Sequence, residues 1–76
     1  MKAYRLHVQG IVQAVGFRPF IYRIAHEHNL RGYVKKLGDA GVEIVAEGRE
    51  EDIEAFIRDI HRKKPPLARI DRIERR

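Results

Sequence analysis

The stretch Gly10-Ile11-Val12-Gln13-Ala14-Val15-Gly16-Phe17-Arg18-Pro19 lies where one hydrophobic pattern gives way to another. In residues 3–8, before it, apolar and polar side chains alternate, which is typical of a half-buried strand. Over residues 20–28, after it, apolar side chains recur at three- and four-residue spacing, which predicts an amphipathic helix. Pro19 suits the first turn of that helix, where a missing N–H is harmless. The stretch is therefore predicted to connect a strand, ended by Gly10, to a helix.

Three more strands and a second helix are predicted downstream. Residues 32–37 and 42–47 have strand patterns, and the glycine-rich turn between them favours a hairpin. Residues 50–64 carry an apolar stripe at helical spacing, with acidic residues first and basic residues last, as the helix dipole favours. Weak alternation in residues 67–73 predicts a fourth strand.

The resulting order, βαββαβ, defines a fold class. It is the split βαβ arrangement of ferredoxin-like α+β domains, in which an antiparallel sheet carries both helices on one face. No linker or repeat interrupts the sequence, so residues 1–76 are expected to form a single domain. Because more chain normally follows the last strand in folds of this type, we expect a fragment of a longer protein.

Composition excludes several classes of protein. A hydrophobic content of 43% with 36% charged residues fits a folded globular chain. No apolar run reaches the ~18 residues that a membrane helix needs, and the N-terminus lacks the apolar segment of a signal peptide. The absence of cysteine excludes disulfides and thiolate metal sites. A cytoplasmic protein with no membrane partner is expected.

The net charge of +5 is concentrated near the C-terminus. Residues 1–57 hold eight basic and eight acidic residues, whereas residues 58–76 hold eight basic and three acidic residues. Such a segment is either solvated surface or a patch for anions or nucleic acid, and both interpretations remain open.

The stretch from Gly10 to Arg18 has the features of an anion site. The first N–H groups of a helix have no partner within the helix, and the helix dipole favours negative charge beside them. Gly16 permits unusual backbone dihedrals, and Arg18 offers a planar donor fork that matches phosphate oxygens. The alternative is a tight strand-to-helix connection in which Arg18 is only a surface charge.

The same stretch resembles the acylphosphatase signature G-x-V-Q-x-V-G-F-R. The resemblance extends to Gly32-Tyr33-Val34-Lys35 and to residues 41–48 and 68–73. Residues 15–25 further resemble the N-terminal acylphosphatase-like domain of HypF carbamoyltransferases, which take part in the maturation of nickel–iron hydrogenases.

Acylphosphatases hydrolyse the carboxyl–phosphate anhydride to a carboxylate and inorganic phosphate. The resemblance implies a phosphate cradle whose backbone amides come from Gln13, Ala14, Val15, Gly16, Phe17 and Arg18. It implies that Arg18 also acts through its side chain, and that no metal, cofactor or covalent intermediate is needed. In the hydrogenase-maturation setting, the substrate would be carbamoyl phosphate and the remaining domains of a larger protein would be partners.

Lys36 departs from the family pattern. Acylphosphatases carry an asparagine at this position of the second strand, where it orients the attacking water. An amide both accepts and donates hydrogen bonds, whereas a lysine ammonium only donates. The sequence therefore predicts that Lys36 helps to bind phosphate, or sulfate as its analogue, while hydrolysis is impaired or absent.

Other functions are weaker alternatives. A non-catalytic phosphate-binding or interaction domain is favoured by Lys36. An RNA-binding module would have the same topology, but it needs aromatic side chains interleaved on the central strands, and the strands offer only Tyr4 and Tyr33. The four histidines lack paired ligand spacing, so no metal site is predicted and each is expected at the surface or its boundary.

Overall fold

The computed structural model describes residues 2–12 and 16–76 of the chain. These residues form four strands and two helices in the predicted order. Their bounds are β1 (Lys2–Ile11), α1 (Phe17–Glu27), β2 (Arg31–Lys36), β3 (Val42–Gly48), α2 (Glu50–Lys63) and β4 (Arg69–Arg75). The strands pair antiparallel in the order β2-β3-β1-β4. The ferredoxin-like α+β fold is thus confirmed.

Both helices pack on the same face of the sheet. The alternating positions Leu6 and Val8 of β1 are fully buried. They form one core cluster with side chains from β3 and from both helices; these are Val42, Ile44, Ala46, Phe17, Phe20, Ile21, Ile24, Ile53, Phe56 and Ile60. Burial of each large apolar side chain stabilises the fold by about 1.5–3 kcal/mol. The two periodicities read from the sequence, two for the strands and 3.6 for the helices, place these side chains on a common core.

The sequence predicted that β1 ends at Gly10, and this prediction is wrong. The strand continues to Ile11 because its pairing with β4 shifts register at this glycine: Gln9 lies opposite Arg72, and Gly10 lies opposite Ile70. Gly10 has φ +139°, and a Cβ there would overlap the carbonyl oxygen of Arg69. Glycine is therefore needed for close approach of the two backbones rather than for a turn.

The last strand begins two residues later than predicted. Leu67 lies in a turn closed by a hydrogen bond of 3.0 Å from the Ala68 N–H to the Pro65 carbonyl oxygen, and its side chain is 77% exposed. Leu67 therefore lies outside the strand, although the weak alternating pattern included it.

His7 lies on the helix-free face of the sheet, yet it is only 8% exposed. Its Nε2 is 2.6 Å from the carbonyl oxygen of Ala40, which belongs to the 3₁₀ turn Gly38–Ala40 between β2 and β3. Its Nδ1 is 3.1 Å from a guanidinium nitrogen of Arg76. The sequence predicted a histidine at the surface or its boundary; the ring of His7 is more buried than this, because a turn and a long side chain cover it.

A side chain of α1 forms a hydrogen bond with the outer edge of β2, at the centre of the strand. The N–H of Val34 faces away from β3 and donates to the hydroxyl of Tyr22 on α1, at 3.2 Å. This contact joins the first helix to the edge of the sheet.

Asp59 of α2 contacts His28, the residue that follows α1, near the C-terminal end of each helix. His28 Nε2 lies 2.8 Å from Asp59 Oδ2, and Lys63 Nζ lies 3.6 Å from the same oxygen. The hydrogen bond from His28, followed by the positive charge of Lys63, lowers the pKa of Asp59 below its usual value of 3.8. A carboxyl group with a lowered pKa stabilises the fold when it is ionised.

We expect the contribution of Asp59 to stability to disappear in acid. It should be fully present above the pKa of Asp59 in the unfolded chain, about 3.9, and should be lost as the pH falls through the lower folded-state value. Urea unfolding of the protein and of Asp59→Asn at pH 7, 5 and 3 measures the contribution of Asp59 to the free energy of unfolding. The difference in unfolding free energy should be smaller at pH 3 than at pH 5.

Asp39→Asn is the matched control, since Asp39 is exposed in the 3₁₀ turn. If the two variants show the same pH dependence, the pair with His28 does not set the effect.

Candidate phosphate-binding site

A cleft opens at the end of the sheet where β1 leads into α1. Its volume is about 220 Å³. Seven described residues line it, contributed by the end of β1, the start of α1, the end of β2 and the start of β3: Val12, Gly16, Phe17, Arg18, Pro19, Lys36 and Val42. The buried side chains of Val12, Phe17 and Val42 lie beneath it, and Arg18 and Lys36 are exposed. The cleft is thus apolar at its base and cationic at its rim.

The first turn of α1 carries no compensating negative group. Gly16 is its N-cap, with φ 74°, and has no side chain to cap the helix, and no residue of the first turn is acidic. By contrast, α2 begins with Glu50, Glu51 and Asp52. The first N–H groups of a helix lack intrahelical acceptors, and no described residue accepts from the N–H of Phe17 or Arg18, so these groups can bind an external anion.

Lys36 faces the start of α1 because of strand alternation. It lies opposite Val42 in the β2–β3 register, as Val34 lies opposite the buried Ile44. Lys36 therefore shares the helix-covered face of the sheet, at its end, whereas Lys35 lies opposite Glu43 on the other face. Arg18 and Lys36 were predicted as site residues from separate segments, and the fold brings both to one cleft.

The two cations have no counter-ion of their own. Within the part of the chain that the structure describes, neither Arg18 nor Lys36 has an ion pair, and the cleft has no acidic lining residue. Two positive charges near an uncompensated helix start produce a positive potential that attracts an anion.

Some predicted site residues cannot be placed. Gln13, Ala14 and Val15 lie outside the described residues, so their predicted part in the cradle stays a prediction. Of the described members, Phe17 directs its side chain into the core and can offer only its backbone. Val42 was missed by sequence reasoning, and its place opposite Lys36 depends on strand register.

Other site types find no support among residues 2–12 and 16–76. No group of three His, Cys, Asp or Glu side chains there could hold a metal ion. No helix of this part of the chain is long and apolar enough to cross a membrane. The open face of β1 and β3 shows no aromatic side chain for base stacking, because Tyr4 belongs to the core face and Tyr33 to the edge strand.

A ferredoxin-like fold with a cationic cleft at the start of α1 defines an α+β domain with a candidate anion site, and comparison with known proteins identifies the family. Residues 4–76 match the acylphosphatase family model. The chain belongs to the acylphosphatase family.

Three solved structures show the likeness in detail. HypF from T. kodakarensis is 86% identical, with a TM-score of 0.90 over the whole chain and 10% of its own length. A full-length HypF in a phosphate- and nucleotide-bound form is 49% identical, with a TM-score of 0.91 over 97% of this chain and 10% of its own. Acylphosphatase from Bacillus subtilis is 37% identical, with a TM-score of 0.92 over the whole chain and 83% of its own. The chain spans about a tenth of the HypF proteins that it matches, and most of a free-standing acylphosphatase.

We expect Gly16→Ala to destabilise the protein by about 1–2 kcal/mol, the cost of a left-handed backbone for a residue with a Cβ. Apart from its chain neighbours, no atom of the described residues lies within 4 Å of the position that the Cβ would take, so the effect is expected to come from the backbone. Urea unfolding measures it. Gly16→Asn should cost less, since asparagine tolerates this conformation better. An alanine variant as stable as the parent would show that the turn does not need the left-handed conformation.

Proposed function

We propose that this domain binds acyl phosphates in the cleft at the start of α1 and hydrolyses them, with a turnover that Lys36 limits. The observation that carries the proposal is that Arg18 and Lys36 line one cleft with the uncapped first turn of α1. Membership of the acylphosphatase family supports the reaction class. The phosphate-bound form of a HypF protein supports the type of ligand.

Binding would use backbone and side-chain donors together. The N–H groups of residues 13–18 would contact the non-bridging phosphate oxygens, and the guanidinium of Arg18 would donate two parallel hydrogen bonds. The same donors would face the oxygens that share charge in the transition state, so they would lower the barrier as well as hold the substrate.

The reaction would be a direct displacement by water. The water oxygen forms a bond to phosphorus, the bond from phosphorus to the acyl oxygen breaks, and that oxygen leaves as a carboxylate. The water protons pass to the phosphate and to solvent, so inorganic phosphate and a carboxylic acid anion are the products. With carbamoyl phosphate, the substrate that we propose, the leaving group is carbamate.

Lys36 would slow this step through its hydrogen-bond polarity. An ammonium can hold water only by donating to the water oxygen, which engages the lone pair that must attack phosphorus. An asparagine carbonyl at this position would instead accept a hydrogen bond from the water and leave that lone pair available. The positive charge of Lys36 would at the same time tighten binding of phosphate, both substrate and product.

The proposal extends to the setting of the reaction. The likeness to the HypF proteins supports a domain of a larger maturation protein, in which carbamate would pass to the remaining domains. A cytoplasmic location remains a prediction from the sequence.

A second function is favoured by Lys36 alone. If the water cannot be positioned, the same cleft would serve as a phosphate-binding domain without turnover. Hydrolysis of an acyl phosphate by the unmodified protein distinguishes the two.

We expect Lys36→Asn to raise kcat for carbamoyl phosphate or acetyl phosphate by about 10- to 100-fold, since misplacement of a reacting group costs on the order of 10²-fold. Affinity for inorganic phosphate should fall in the same variant, because one positive charge is lost. Phosphate release and calorimetric titration measure the two effects.

Lys35→Asn is the matched control, because it removes the same charge from the neighbouring residue on the opposite face of β2. If the parent already turns over as fast as Lys36→Asn, the role given to Lys36 is wrong.

We expect Arg18→Ala to weaken inorganic phosphate binding by about 10- to 100-fold, as loss of a charge-assisted hydrogen bond costs about 1.5–3 kcal/mol. Arg18→Lys should be intermediate, since it keeps the charge and loses the planar fork. Calorimetry at low ionic strength measures both, with Arg58→Ala on α2 as the control. Unchanged affinity in Arg18→Ala would remove Arg18 from the site.

A further inference from the structure

A second, larger cleft adjoins the candidate phosphate site. Its volume is about 550 Å³, and it shares Gly16 and Pro19 with the first cleft. Phe20 and Arg23 of α1 form one wall, and the segment Lys63–Pro66 at the end of α2 forms the other. A ligand held by phosphate in the first cleft could therefore extend into the second across the start of α1.

The second cleft is cationic and has no carboxylate in its described lining. Lys63 is partly neutralised, since its Nζ lies 3.7 Å from Glu27 and 3.6 Å from Asp59. Lys64 Nζ donates to the neutral carbonyl of Ala68 at 3.0 Å and keeps its full charge.

Arg23 keeps its charge as well. Its guanidinium carbon lies 5.7 Å from the ring centre of Phe20, and no carboxylate of the described residues pairs with it. A cation over an aromatic face is held in place without being neutralised. Arg23 and Lys64 thus give this cleft a net positive charge.

Helix electrostatics explains only part of this cluster. Basic side chains at the end of α2 are favourable to its dipole, which accounts for Lys63 and Lys64. The dipole of α2 does not account for Arg23, which lies in the middle of α1 and lines the same cleft. Arg23 therefore adds a positive charge to this cleft that the dipole of α2 does not explain.

We propose that the second cleft is an anion subsite beside the phosphate cleft, and that it extends the substrates of this domain beyond carbamoyl phosphate to acyl phosphates carrying a distal carboxylate. This inference rests on the proposed function. Acyl phosphates derive from carboxylic acids, so a dicarboxylic acid activated at one end keeps a second carboxylate. With its phosphate in the first cleft, that carboxylate would extend across Pro19 to Arg23 and Lys64.

A pair of non-hydrolysable probes tests the subsite independently of turnover. Butylphosphonate and 4-phosphonobutyrate differ only in the replacement of a terminal methyl by a carboxylate. We expect the carboxylate probe to bind the protein about three- to tenfold more tightly at low salt, as two exposed ion pairs would give. The advantage should shrink at 0.5 M salt because of screening.

Variants test whether the cations of the second cleft cause the preference for the carboxylate probe. Arg23→Gln and Lys64→Gln should each reduce the preference, and together they should abolish it, while affinity for butylphosphonate stays the same. Arg58→Gln, which removes an exposed cation of α2 outside both clefts, should leave the preference intact.

Two results would overturn the subsite while leaving the proposed function in place: equal binding of both probes, or a preference that survives Arg23→Gln with Lys64→Gln. Failure of inorganic phosphate and of both phosphonates to bind would instead overturn the proposed function, and the subsite with it.

Discussion

The pairing of β1 along both of its edges is the constraint on which the rest of the structure depends. With β3 on one side and β4 on the other, β1 is central, and its end lies beside the start of each neighbour. The split βαβ connection then sends α1 back over the same face, while β2 runs parallel to β1 on the far side of β3. As a consequence, the starts of α1 and β3 and the ends of β2 and α2 all meet at one end of the domain.

This convergence brings positively charged side chains from separate elements together at one end of the domain. Arg18 comes from a helix start, Lys36 from a strand end, Arg23 from a helix middle and Lys64 from a helix end. They come from three separate segments of the sequence, and no local pattern groups them. Only the fold shows that they surround two adjoining clefts without carboxylates in the described lining.

Much of the architecture could be predicted from sequence because periodicity reports which face of an element is buried. The alternation of Leu6 and Val8 and the helical stripe of Ile53, Phe56 and Ile60 are two of the patterns from whose order the fold class was predicted, and these side chains are buried. Periodicity does not report which residues of two strands lie opposite one another. The close approach at Gly10, the burial of His7 beneath Ala40 and the place of Val42 beneath the cleft all depend on such pairings. The second cleft needed the relative placement of two helices, which no local pattern encodes.

The hydrogen bond between Tyr22 and Val34 has a consequence for self-association. An edge strand exposes backbone N–H and carbonyl groups that can template a strand from another molecule. At the centre of the β2 edge, the hydroxyl of Tyr22 already occupies the N–H of Val34, and the ring lies beside the strand. A chain approaching this edge would have to displace the tyrosine before it could form a continuous ladder. Tyr22 thus opposes pairing of a strand from another molecule with β2, the edge strand that carries Lys36.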